Sequence, residues 1–413
     1  MSTSSEQVAL RVSRWFGLMC VFGIAWSNAF FRVGLAGLLV ASLFSGVYRD
    51  HARSCLRQPL TWLPLAFFMM VLASALTDGR PTEMAFYDVE HYRKLLLIPI
   101  FAVVFPTVRE HRQMLIAYGL GTFVLMLPTL LDGFGIFHAL GIDFSAYRNE
   151  AYRAALHGVP NLVYWRMQIV HGFHVDVLLG MAAFGAILLP RWRIPLLLLC
   201  VLCILDVLLF IYGRMALLSL VLVGVCVMVY LLPSLRLRLL GLSTVLALAV
   251  SAYWFVPDVT TRITSIQSEA ARYVEEGDIK TSGGERLYYW KIALKMWSKA
   301  PLLGEGAGSF RELLMSRHDP GALRGYRHPH NEYLMQLAEF GVVGLSLFLA
   351  MVVIMLKSAR RIEDRWLAPS LIVGILVFCL NAVTDASLHN DWEGWTFVVF
   401  ASIACASRCF AKR

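Results

Sequence analysis

The chain has 413 residues, 58% of them hydrophobic and 16% charged, with a mean hydropathy of +0.64. So apolar a composition excludes an ordinary soluble protein, and apolar runs continuous over roughly 17 to 22 residues exclude the alternating strands of an outer-membrane barrel. The net charge of +9, from 37 basic against 28 acidic residues, is assigned to cytoplasmic loops obeying the positive-inside bias, and nucleic acid is discounted as a partner.

In chain order, apolar runs place about twelve transmembrane helices near residues 15–30, 32–48, 60–76, 94–106, 113–131, 171–189, 194–212, 214–232, 239–256, 331–356, 366–384 and 392–409. The fold class expected is an all-α polytopic membrane protein. Every second connection is basic: Arg11/Arg14, Arg49/Arg53/Arg57, Arg109/Arg112, Arg191/Arg193, Arg236/Arg238, Lys357/Arg360/Arg361/Arg365 and Arg408/Lys412/Arg413 fall on one side. Both termini are therefore expected in the cytoplasm, with an even number of spans. The first run lacks a small-residue cleavage site after it, so the first helix is expected to stay attached.

The opposite face receives three longer segments, 77–93, 132–170 and 257–330. The chain is thus divided into residues 1–256 with nine membrane helices, a large external loop at 257–330, and residues 331–413 with three more. The large loop holds an amphipathic stretch, Arg286 to Ser298, and then a turn-rich run, PLLGEGAGSF, from Pro301 to Phe310. Segment 144–168 mixes Tyr, Trp and Arg in the manner of an interfacial helix. Of the eight cysteines, Cys20, Cys200, Cys203, Cys226, Cys379 and Cys405 lie in apolar runs and are read as small hydrophobes; Cys200 and Cys203 have no second pair to complete a zinc site.

Polar residues at the external boundary are candidates for chemistry. In HPHNEYLMQLAEFGVVGL, from His328 to Leu345, His330, Asn331 and Glu332 sit where a polar loop enters a membrane helix. Asn331 has the type and position of a helix cap, and His330 is the side chain able to exchange a proton near neutrality. Arg214, in IYGRMALLSL, lies between two apolar runs, either as an interfacial anchor or facing an anionic partner. In GGERLYYW, from Gly283 to Trp290, paired glycines precede Arg286, Tyr288 and Lys291. That helix start would suit a diphosphate, and a solvated basic face is the plainer alternative. In FYDVEHYRK, Asp88 and Glu90 could hold a divalent cation. Tyr87, Asp88, His91 and Arg93 could instead line a substrate site or lie on the membrane surface, and hard cations need more oxygen ligands than this pair offers. Asp385, His389 and Asp391 form another external polar cluster.

These stretches resemble the O-antigen ligase and polymerase superfamily of bacterial envelope glycosyltransferases. The resemblance rests on the run at Arg214, the block from Arg286 to Phe310 and the HNxYLxQLAExGxxGL run from His330 to Leu345, and it spans nearly the whole chain. It implies a GT-C-type arrangement in the inner membrane, with Arg214, Arg286 and His330 as functional residues. It also implies transfer of a glycan from an undecaprenyl diphosphate carrier to a sugar hydroxyl of lipid A-core at the periplasmic face. Asn331, Glu332, Tyr87, Asp88, His91, Arg93, Tyr288, Lys291, Asp385 and Asp391 are candidate substrate contacts, and no cofactor or metal is expected in the reaction. Polymerase and protein O-oligosaccharyltransferase are related alternatives. The chain ends after its last apolar run, which is read as mild evidence against the latter. A transporter of lipid-linked sugars is the alternative from a different class, disfavoured because no repeat symmetry is visible.

Overall fold

The structure, a computed structural model, describes residues 4–76, 82–141, 168–211, 213–316 and 328–410, and all regular structure among them is helical. The amino-terminal part comprises α1 (Ser4–Gly23), α2 (Asn28–Leu43), α3 (Val47–Leu56), α4 (Pro59–Ala75), α5 (Thr82–Tyr92), α6 (Ile98–Val104), α7 (Val108–Gly133) and the short α8 (Ile136–Ala139). After residues 142–167, which lie outside the described residues and contain most of the expected interfacial segment, come α9 (Gln168–Leu188), α10 (Arg193–Leu205), α11 (Arg214–Leu231) and α12 (Leu235–Phe255). Three more polar helices follow, α13 (Pro257–Glu276), α14 (Ser282–Lys299) and α15 (Ser309–Ser316), and then α16 (Glu332–Ala359), α17 (Leu367–Asn381) and α18 (Asp391–Cys409).

Among the described residues, six helices are long and apolar enough to cross a bilayer: Val108–Gly133, Ile169–Leu188, Pro190–Phe210, Arg214–Leu231, Leu235–Phe255 and Glu332–Ala359. The protein is a multi-pass membrane protein. Shorter apolar helices occupy Asn28–Leu43, Pro59–Ala75 and Leu367–Asn381. The run expected at 94–106 is a 3-10 turn, Arg93–Leu97, and the seven residues of α6. Seven residues rise about 10 Å, a third of the hydrocarbon core. Helix α5 leads straight into that turn, so much of the expected external segment 77–93 is helix rather than loop.

Burial follows from residue type. Helix α9 lies at the centre of the bundle against α7, α10, α11 and α17 and is almost wholly enclosed. Helix α12 is apolar all round and leaves Leu235, Leu239, Leu240, Leu248, Trp254 and Phe255 outward, the pattern of a helix that faces lipid. Helices α13 and α14 instead bury one stripe each, Val259, Arg262 and Glu269 on the first and Tyr289, Ile292, Ala293 and Met296 on the second. Helix α14 packs that stripe against α16.

Helix α16 is broken at Gly341, which has φ 63°. A break inside an apolar helix frees carbonyl and amide groups that lipid cannot satisfy. The PLLGEGAGSF run supplies the partners: the amides of Glu305 and Gly306 donate to the carbonyls of Ala338 (2.9 Å) and Glu339 (2.7 Å), and those of Val342 and Val343 donate to Pro301 (2.9 Å) and Leu302 (3.2 Å). The backbones come so close that a Cβ on Gly304 would lie 2.3 Å from the Glu339 carbonyl carbon, and one on Gly341 2.3 Å from the Leu302 oxygen. The glycines of the two motifs therefore form one joint.

Candidate active site

The residues singled out by the sequence gather at one end of the bundle, where α13, α14 and α15 meet the entries of α11, α16 and α18. Arg214 is the first residue of α11, shortly after the π-helical turn Asp206–Phe210 that follows α10. Buried Arg262 of α13 donates to the carbonyls of Val207 (3.1 Å) and Leu208 (3.2 Å), satisfying acceptors that a helix end leaves open. That contact docks α13 onto the membrane helices and brings Glu269 to Arg214.

The Arg214 guanidinium forms a two-pronged pair with Glu269, Nη1 donating to Oε2 at 3.0 Å and Nη2 to Oε1. Glu269 Oε2 also accepts from the Gly283 amide, 2.7 Å away in the first turn of α14. A Cβ at Gly283 would stand 2.8 Å from that same oxygen, which accounts for a glycine there. Thr281 caps the helix by accepting from the Gly284 amide at 3.0 Å. One guanidinium fork and one helix N-terminal amide thus converge on a single carboxylate, the donor set that a phosphate group uses.

Arg286 follows one turn later and donates to Ser282 Oγ at 2.7 Å. Burial pulls its pKa below the ordinary arginine value; Asp385 opposes that and Arg214 adds to it. Two guanidinium groups close enough to repel one another, beside carboxylates, form a place where a dianion would be stabilised.

His330 lies just before α16, beside Asp385, the carboxylate whose charge reaches Arg286. It takes the left-handed conformation, φ 50°, just before Asn331, which caps α16 by accepting from the Leu334 amide at 2.9 Å. His330 Nδ1 lies 3.4 Å from Asp385 Oδ1, and its ring stacks with Tyr289 at 6.4 Å. Tyr289 in turn donates to Glu285 at 3.0 Å. Asp385 is fixed by the Ala386 amide (2.9 Å) and the Asn390 side chain (2.9 Å). Burial alone would raise its pKa, yet the His330 contact and the charges of His328 and His330 hold it down at about 2. Burial and the charge of His330 push His328 down to about 3, against the pull of Asp385. His328, His330 and Asp385 each present a ligand atom within 4.8 Å of the others, a donor set suited to a borderline divalent cation.

A second histidine–carboxylate pair lies behind the first. Asp88 accepts from the Gly308 amide (2.7 Å) and lies 3.0 Å from His389 Nε2; the His389 ring stacks on His91 at 4.6 Å. Tyr87 packs on His91, and Arg311 lies over the Tyr87 ring. Glu332 is turned inward: its carboxylate accepts from the amides of Leu388 (2.8 Å) and His389 (3.3 Å) and from Gln336 (2.6 Å), tying α16 to the α17–α18 connection.

The structure therefore brings together Arg214, Arg286, His330, Asn331, Glu332, Asp88, His91, Tyr87 and Asp385, and most other candidates lie on exposed faces nearby. Asp88 and Glu90 diverge, since residues two apart point to different sides of a helix. Glu90 pairs with Arg93 on the exposed surface at 2.9 Å. Lys291 is exposed on α14, Tyr288 packs beside Tyr289, and Asp391 is exposed in the first turn of α18, near enough to act on His91. Glu269, Arg262 and His389 complete the site without a local signal; His389 alone stood in a polar cluster noticed in sequence. Lys94 is buried beside them, donating to the His389 carbonyl at 3.0 Å.

Residues 198–349 match the family model described as O-Antigen ligase. A protein of Rickettsia typhi named "Putative polysaccharide ligase" is 28% identical over 123 residues, covering 28% of this chain and 29% of that protein. Proteins of the same name from Rickettsia felis and Rickettsia conorii are each 26% identical over 121 residues, covering 28% of this chain and 29% and 28% of their own lengths. The chain thus aligns with less than a third of each of these relatives. Arg214, Arg286, His330 and the Gly341 joint all fall inside the segment that is similar to the O-Antigen ligase family model.

Proposed function

We propose that this protein is an inner-membrane O-antigen ligase. It would take a glycan from undecaprenyl diphosphate and join it to a sugar hydroxyl of lipid A-core at the periplasmic face. The observation that carries this reading is the convergence of Arg214 and Arg286 with the His330–Asp385 pair at one end of a membrane bundle. About twelve spans, in a GT-C-type arrangement with both termini cytoplasmic, fit the alternation of basic connections.

In this reading the two arginines hold the diphosphate, which enters by displacing Glu269 from the fork and from the α14 amide. His330 takes the proton of the acceptor hydroxyl as its oxygen attacks the anomeric carbon. The bond from that carbon to the diphosphate oxygen breaks, and undecaprenyl diphosphate leaves with its charge held by Arg214 and Arg286. One displacement inverts the anomeric centre. Asp385 keeps the imidazole oriented and stabilises it when protonated, the role a buried carboxylate plays beside a catalytic histidine. In this reading no metal takes part in the step.

The test is the lipopolysaccharide profile of a deletion strain, complemented with wild type, R214K or R286K. A ligase gives uncapped core with long polymer accumulating on the carrier. Lysine keeps the charge but loses the fork, so neither variant should restore capping. A single repeat on the core would mean a polymerase, and full capping by both lysine variants would remove the arginine clamp.

A further inference from the structure

A second constellation lies at the far end of α18. Cys405 and Cys409 are one turn apart on its face, and Cys55 of α3 packs against them, with Sγ separations of 3.1 Å from Cys55 to Cys409 and 3.9 Å from Cys405 to Cys409. All three sulfurs lie within 4.8 Å of one another, and Cys55 and Cys405 are fully buried. The same one-turn spacing recurs on α3, where His51 precedes Cys55 by four residues. The His51 ring meets Phe410 edge-on at 5.0 Å, next to Cys409, and its Nδ1 is shut off from solvent with no hydrogen-bond partner among the described residues.

Apolar packing explains one buried thiol, as it does for Cys20. It does not explain three sulfurs in contact, with an orphaned imidazole nitrogen one helical turn along α3, on two helices that each offer a pair at i and i+4. Zinc bound to thiolates at about 2.3 Å in a tetrahedron sets its sulfurs about 3.8 Å apart, within the range found here once Cys55 and Cys409 part slightly. We propose that Cys55, Cys405 and Cys409 form a structural zinc site, whose fourth position His51, which lies outside the 4.8 Å group, would fill by turning its side chain toward the sulfurs. Binding would release the three thiol protons to solvent and leave the site with one net negative charge, beside Arg408, whose charge already reaches Cys405. Helix α18 runs 19 residues from Asp391, which puts Cys405 and Cys409 about 21–27 Å along it from the end that borders the candidate active site, so the site is independent of the glycosyl-transfer reading. Its effect would be to staple α3 to the last helix.

The experiment is elemental analysis of the full-length protein, purified in detergent with reductant and without chelator. About one zinc per chain is expected, with C379S unchanged and a C405S/C409S variant retaining less than about a tenth. Because the double variant could fail to fold, wild-type protein is also stripped and refilled with cobalt(II), and the absorption of a tetrahedral thiolate complex is expected. Wild-type protein without zinc that also gives no such spectrum on refilling, or a folded double variant with undiminished zinc, would overturn the proposal.

Discussion

Arg214 is already paired before any donor arrives. Glu269 fills the fork and the α14 amide as a phosphate would, so the carboxylate competes with the donor for the same groups. Glutamine at this position keeps the shape and the acceptor for Gly283 but removes the charge. E269Q should therefore lower the donor KM by roughly fivefold, the worth of a partly exposed ion pair of about 1 kcal/mol, with kcat little changed. Steady-state kinetics with a defined lipid-linked donor checks this, and a raised KM would show that Glu269 orders the site rather than occupying it. Such a pairing has no signature in sequence. Glu269 sits in the polar run SEAARYVEE, where a solvated surface is the natural reading, and its partner is 55 positions away. Asn331 is the opposite case: capping is a local property, and the residue type alone announced it.

At the scale of elements, the joint between PLLGEGAGSF and the broken helix α16 decides where His330 and the glycine loop sit relative to one another. Gly304 and Gly277 have nearly the same φ, 69° and 71°, but a Cβ on Gly277 meets nothing within 4 Å. Alanine at Gly277 should cost about 1 kcal/mol from backbone conformation alone. At Gly304 the added Cβ also strikes backbone, so G304A should cost at least about 3 kcal/mol or fail to accumulate as folded protein. Thermal unfolding of the two variants in detergent makes the comparison, and equal shifts would mean that the joint yields easily. The apolar runs and the amphipathic stretch from Arg286 were legible because periodicity and length are carried by neighbours in sequence. The break at Gly341 was not, because a glycine inside an apolar run looks like packing until its partner loop is known. Nor was the joining of α5 to the short α6, since hydropathy drops at Asp88 and Lys94, which are buried and charged for reasons of the site and not of exposure.

For the whole molecule, composition and charge gave the membrane setting, and three motifs far apart in the chain pointed to one site because a family resemblance links them. In the proposed function that site lies outside the cytoplasm. A reporter cysteine at Ser268 should be labelled from outside the inner membrane and one at Ser234 spared; the reverse would invert the topology. The central claim is that His330 is the base in a transfer from the diphosphate carrier held by Arg214 and Arg286. The most direct measurement is transfer by purified protein from a defined undecaprenyl diphosphate glycan to lipid A-core, comparing wild type with H330Q, with donor binding measured in parallel. Glutamine preserves hydrogen bonding but cannot take up the proton, so H330Q should lose about 10²–10⁴ in rate while binding donor almost normally. An H330Q protein that keeps most of its rate would contradict the account and move the base to another group, Asp88 or Asp391.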